Sequence, residues 1–278
     1  MSAEEKYGWT PLHRAASNGH VDLARFLVES GANVSAKDQY GWTPVNRALS
    51  DGHIDLAQFL AERGGIAKSE DGSSPLHQAL SDGHVDLAWF LAENGADVSA
   101  KSKDGWTPLH RTLSDGHVDL ARFLIERGAD VSAKDAMGCT PLHRALSNGH
   151  VDLALYLVDH GADVSAKSED GWTPLHMVLS EGHVDLAWFL VEHGADVSAK
   201  DTIGSTPLHW ASSHGHVDLV QLFVAHGADV LATDGDGRTP LYMAYFWGHM
   251  EVAQFLIEHG GDATVLIHAA NPGADMSI

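Results

Sequence analysis

Histidine and arginine are the residue types here whose number and spacing could do chemistry. The chain of 278 residues holds 20 histidines. They recur in three settings: inside TPLH or SPLH (His13, His77, His110, His143, His176, His209), in a Gly-His step (His20, His53, His84, His117, His150, His183, His216, His249), and near a following Gly-Ala-Asp or Gly-Gly-Asp (His160, His193, His226, His259). Only His214 and His268 stand outside these columns. One reading is a metal ladder or a set of general bases; the other is that each imidazole bonds backbone and ties copies of a motif together. Repetition favours ties, since a catalytic constellation is needed once, with distinct partners in distinct roles. A zinc site also wants three or four convergent ligands, which neither spacing supplies locally. Cys139, the single cysteine, lacks the base and oxyanion donors a nucleophile needs, and is expected to be an inert thiol facing a groove. Neither a cofactor nor a catalytic residue is therefore expected.

Arginine stands immediately after the motif histidine, or its replacement Asn46, at Arg14, Arg47, Arg111 and Arg144. Three tryptophans stand in the slot before Thr-Pro in the same part of the chain, Trp9, Trp42 and Trp106. A guanidinium beside an indole suits carboxylates through forked hydrogen bonds and can stack on the ring. Farther along, the same two slots read Trp172, Met177, Trp210 and Met243, with Tyr242 replacing the last motif histidine. Aromatic and methionine side chains of this kind anchor protein interfaces. These twelve residues are the expected partner-binding positions. The arginines could instead be paired with Asp51, Asp82 or Asp115, and the tryptophans could be inherited framework.

The bulk composition fits such a surface. Net charge is −21, which disfavours nucleic acid and anionic membrane as partners. The charge is uneven: 14 basic against 20 acidic side chains through Arg144, then three against 18 from Ala145 onward. No apolar run reaches membrane-spanning length, and the polar start MSAEEKYGWT does not read as a secretory leader, so an intracellular, cytoplasmic protein is expected.

The elements that position these residues are copies of one unit. The residue opening each motif is Thr10, Thr43, Ser74, Thr107, Thr140, Thr173, Thr206 and Thr239, spaced by 33 residues except for one interval of 31. Thr or Ser followed by Pro is a helix start, and the glycine about ten residues on stops a short first helix. The next stretch (VDLARFLVE in the first copy) carries an apolar stripe at helical spacing, and the turn-rich ANVSAKDQYG that follows reads as a projecting finger. One such pair cannot bury its own apolar face, whereas stacked neighbours can.

The period and the G-x-TPLH-x-A-x-x-x-GH…GAD pattern make the chain resemble the ankyrin repeat family over residues 6–262, in eight copies: 6–38, 39–69, 70–102, 103–135, 136–168, 169–201, 202–234 and 235–262. The resemblance implies an all-α ankyrin-repeat solenoid of helix–turn–helix units with projecting β-turn fingers, a concave face lined by the finger bases and first helices, and a non-enzymatic scaffold. The expected function is binding of a protein or peptide segment in that groove, acidic toward copies 1–5 and apolar or aromatic toward copies 6–8. The rival readings are a histidine-based metal protein or enzyme and a self-associating module. Three departures stand out. TPVN (43–46) replaces the motif histidine by Asn46, a shortened finger is expected near residues 64–68, and residues 263–278 read as a C-terminal capping tail. On the second helices, Trp89 and Trp188 occupy a slot that is polar in most other copies.

Overall fold

The computed structural model describes residues 7–66 and 72–264. The core of the expected shortened finger and all but the first two residues of the expected capping tail therefore lie outside the described residues. The chain divides into two compact units, residues 1–136 and 137–278. The first holds four helix pairs: α1 (Pro11–Ser17) with α2 (Val21–Glu29), α3 (Pro44–Ser50) with α4 (Ile54–Glu62), α5 (Pro75–Ser81) with α6 (Val85–Glu93), and α7 (Pro108–Asp115) with α8 (Val118–Glu126). The second holds α9 (Pro141–Ser147) with α10 (Val151–Asp159), α11 (Pro174–Ser180) with α12 (Val184–Glu192), α13 (Pro207–His214) with α14 (Val217–Ala225), and α15 (Pro240–Phe246) with α16 (Met250–Glu258). Within each unit first helices pack on first helices and second on second, so each pair buries its apolar stripe against the next.

Every first helix begins with the threonine or serine in extended conformation and proline at the first turn, the geometry the motif encodes. The leucine after that proline is almost completely buried in seven copies, and Val45 takes its place in the remaining one. The stack is completed at the Gly-His step. Gly19 and Gly215 are left-handed, with φ of 68° and 74°. A Cβ on either would meet the imidazole of the next copy, His53 at 2.6 Å and His249 at 2.4 Å. At these two copies the step needs glycine twice, for the turn and for the ring lying against it. In the second copy Gly65 replaces the usual alanine after the second helix, and a Cβ there would come within 2.7 Å of Val45.

The fingers are joined to one another within each unit. Gln39 N–H donates to the Tyr7 carbonyl, Glu169 to Met137, Thr202 to Asp170 and Gly235 to Ile203. The recurrent finger lysine also bridges: Lys101 Nζ donates to the Lys134 carbonyl (2.9 Å), Lys167 to that of Lys200 (3.1 Å) and Lys200 to that of Thr233 (2.9 Å). These lysines help to link the fingers.

Candidate functional site

The motif histidines are buried and fully engaged. His13 Nε2 lies 2.9 Å from the Trp42 carbonyl, and the same bond, always to the carbonyl 29 residues on, joins His77 to Trp106, His143 to Trp172, His176 to Ser205 and His209 to Arg238. A carbonyl only accepts, so Nε2 carries the proton and Nδ1 must accept. It does: Thr10 N–H (3.1 Å) and Thr10 Oγ1 (2.8 Å) both point at His13 Nδ1. Each ring thereby closes its own helix cap and holds the next copy. Burial pushes the His13, His176 and His209 imidazoles below their ordinary pKa, against the opposing pull of that same carbonyl bond. Asn46 reproduces the cap through Oδ1 (3.1 Å from Thr43 N and 2.8 Å from its hydroxyl), whereas Tyr242 retains only the bond from its backbone N–H to the threonine oxygen.

Two of the eight histidines in the Gly-His column, and all four near the Gly-Ala-Asp or Gly-Gly-Asp, are occupied in the same spirit. His53 and His249 donate to the carbonyls of Ser17 and Ser213 in the preceding copy. His160, His193, His226 and His259 each donate from Nδ1 to the carbonyl four residues back. His214, the isolated one, bonds the Trp210 carbonyl and stacks on the Trp210 ring (centroids 5.9 Å apart, 14° between planes). Among the described residues no group of three or more His, Cys, Asp or Glu side chains is placed to hold a metal ion. Cys139 is buried, so the thiol expected in the groove belongs to the interior, as does Ser205 in the same slot, whereas Ser73 there is half-buried.

The twelve predicted lining residues lie along the finger bases and first helices of their unit. Arg14 is exposed, and the other eleven are half-buried. In the first unit Arg47 is the best-anchored. Its Nε and Nη2 both donate to Asp38 Oδ2, at 3.0 and 2.5 Å. The guanidinium also stands 4.8 Å from the Trp9 ring and 4.5 Å from the Trp42 ring, close to both indoles. Asp38 Oδ1 accepts from Tyr40 and Trp42 N–H, closing the finger turn. Burial alone would raise this carboxyl, but the bonds from Arg47, Tyr40 and Trp42 outweigh it and hold the group below the usual carboxylate range. Arg47 is therefore committed to the wall, and its partner is a finger aspartate and not a residue at the helix end. Arg111, whose finger carries Ser102 in place of aspartate, instead reaches Asp115 in a loose pair (3.5 Å) and lies 5.8 Å from the Trp106 ring.

In the second unit the finger aspartates recur at Asp201 and Asp234. Asp201 accepts from Ile203 and Ser205 N–H and, more loosely, from Trp210 Nε1 (3.4 Å). Asp234 holds Arg238 at 2.8 Å. Trp172 and Trp210 meet edge to face at 5.1 Å. Tyr242 stacks on Phe246 at 6.0 Å, and Phe246 and Trp247 are themselves exposed, at 64% and 59%. The two slots read from the sequence do not include the fingertips, where Tyr7, Tyr40, Met137 and Ile203 are exposed and Tyr7 stacks on Tyr40 at 6.3 Å. A register two residues before the lining slot would have found them, since it alternates these apolar residues with Asp71, Asp104, Asp170 and Asp236.

Helix pairs capped by Thr-Pro, tied by histidine and joined through turn fingers define a helical repeat protein. Family models for ankyrin repeats match overlapping stretches at 3–28 and 12–61 and, as groups of repeats, at 65–135, 98–168, 133–201, 163–234 and 199–267. The chain belongs to the ankyrin-repeat family, whose members generally mediate protein–protein interaction and are typically non-enzymatic scaffolds. No curated protein matches the sequence. No helix among the described residues is long and apolar enough to cross a membrane.

Proposed function

We propose that this chain binds a protein segment along its finger bases and first helices, with an arginine–tryptophan lining in the first unit and an aromatic–methionine lining in the second. The observation that carries the reading is a division of labour within the motif. The Thr-Pro-His chemistry is consumed by the stack, whereas the two slots that vary between copies hold partly exposed Arg, Trp and Met, with Tyr242 beside them where the last motif histidine is replaced. Binding chemistry therefore remains where the scaffold does not dictate the residue.

The linings ask for different partner chemistry. Arg14 and Arg111 suit a segment bearing carboxylates, with Arg47 serving as the rigid spacer between Trp9 and Trp42. Trp172, Met177, Trp210, Tyr242 and Met243 suit apolar anchors, with Arg144 at the start of that series. The test is an unbiased capture with the full chain, followed by affinity measurements on any partner obtained. Replacing Arg14 and Arg111 with Ala should weaken binding and flatten its salt dependence. Replacing Trp172 and Trp210 with Ala should cost about tenfold or more, with the salt dependence retained. Capture of the same partners at the same affinity by all four substitutions together would reject the reading, as would a partner that is simply a second copy bound elsewhere.

A further inference from the structure

The second helices of each unit repeat a different arrangement. One slot on the second helix is aromatic in seven of the eight copies, among them Phe59, Phe123, Tyr156, Phe189 and Phe255. Where its surroundings are resolved in the first unit, the ring is covered from two sides. Phe59 lies 4.7 Å from the Arg25 guanidinium of the preceding copy and 5.1 Å from that of Arg63 after its own helix. Phe123 lies 4.4 Å from the Trp89 ring of the preceding copy and 4.7 Å from the Arg127 guanidinium. In the second unit His160, His193 and His259 take the place of those arginines, each 3.9–4.0 Å from its own ring.

The exception is Leu222. Trp188 stands where Trp89 stands and His226 where Arg127 stands, but the residue between them is a buried leucine. Ala225 likewise replaces the acidic residue found at that position in every other copy. The space left by the missing ring is a cleft of about 370 Å³ lined by Trp188, Asp218, Gln221, Leu222, Ala225 and His226. Trp188 remains 39% exposed beside it, whereas its counterpart Trp89 is half-buried on Phe123.

We propose that this cleft receives an arginine side chain of a partner protein, its guanidinium stacked on the Trp188 indole. Three observations select that occupant. The same second-helix arrangement in the first unit already pairs flat cations with rings, as Arg25, Arg63 and Arg127 do. Asp218 supplies a carboxylate at the rim, the group a guanidinium fork pairs with best. The surrounding half is strongly acidic, and its three basic side chains from Ala145 onward are occupied: Lys167 and Lys200 on finger carbonyls, Arg238 on Asp234 and Asp236. The cleft lies on the second helices, not on the lining proposed above, so it stands or falls separately.

The test uses the full chain labelled with ¹⁵N at tryptophan and a seven-residue Gly/Ser peptide with one central arginine. Trp188→Gln, the residue found in this slot at Gln58, Gln221 and Gln254, identifies the Trp188 indole signal by its loss. The arginine peptide should shift that signal saturably in the millimolar range. Leu222→Phe, which restores the ring of the other copies, should weaken the shift about tenfold by filling the cleft. Asp218→Asn should weaken it about threefold and remove its salt sensitivity. No shift at about 10 mM peptide would overturn the proposal. So would an undiminished shift in Leu222→Phe, an equal shift from the same peptide with phenylalanine at its centre, or a Trp188-dependent self-association in sedimentation.

Discussion

At the residue scale the histidines set how this protein responds to acid. His13, His176 and His209 are held neutral by burial, and each Nδ1 accepts from a threonine. A proton there would turn an acceptor toward two donors. Their folded pKa lies below the unfolded 6.5, so just below 6.5 the unfolded chain binds more protons and stability rises with pH. Their contribution is complete above 6.5 and is lost as pH falls through the folded values. Urea midpoints should therefore drop between neutral pH and pH 5, well before the finger carboxyls Asp38 and Asp234 begin to protonate below their ordinary 3.8. His176→Ala should cost about 3 kcal/mol at pH 7.5 by the same assay, through an emptied core position and an abandoned Ser205 carbonyl, and should remove part of the acid sensitivity. Ser212 points the other way. It fills a slot that is leucine in most copies, fully buried, and its hydroxyl has no hydrogen-bond partner. Ser212→Ala should raise stability by about 1 kcal/mol. The structural role of histidine was legible because its columns repeat; the idle Ser212 hydroxyl was not, since only packing reveals that nothing stands opposite it.

At the element scale the helix pairs were legible almost in full. Their signals are local: Thr-Pro to start, glycine to stop, an apolar stripe between. What escaped depended on contacts between elements. Arg47 meets Asp38 because a finger folds back onto the helix that follows it, and whether the finger residue is Asp38 or Ser102 decides where the arginine goes. The Trp89 and Trp188 slots look identical in sequence, yet Trp89 packs on a ring in the next copy and Trp188, 39% exposed, does not, because the neighbour thirty-four residues on is Phe123 or Leu222. One tight junction is Gly215, which faces the next imidazole. Gly215→Ala should lower stability by about 2 kcal/mol, combining a left-handed alanine with a Cβ at 2.4 Å from the His249 ring, and should lower the denaturation midpoint accordingly.

At the scale of the whole molecule, stability is a sum of nearest-neighbour terms, and the ends should be weakest. Leu23 and Phe26 of α2 are exposed, whereas their counterparts Leu56 and Phe59 are buried. Amide exchange should accordingly be faster in α2 than in α4. Charge acts on the same scale. With three basic against 18 acidic side chains after Arg144, self-repulsion lies within a Debye length, and raising salt from about 20 to 200 mM should increase the thermal midpoint. The inter-copy ties carry one more consequence. The imidazole bonds between copies end on main-chain oxygens, at Trp42, Trp106, Trp172, Ser205, Arg238, Ser17 and Ser213, so the joint is indifferent to which side chain its neighbour bears. A gene of this construction can gain, lose or exchange whole 33-residue cassettes and leave these imidazole ties intact, so the inventory of recognition residues can be rewritten without reinventing the architecture that displays it.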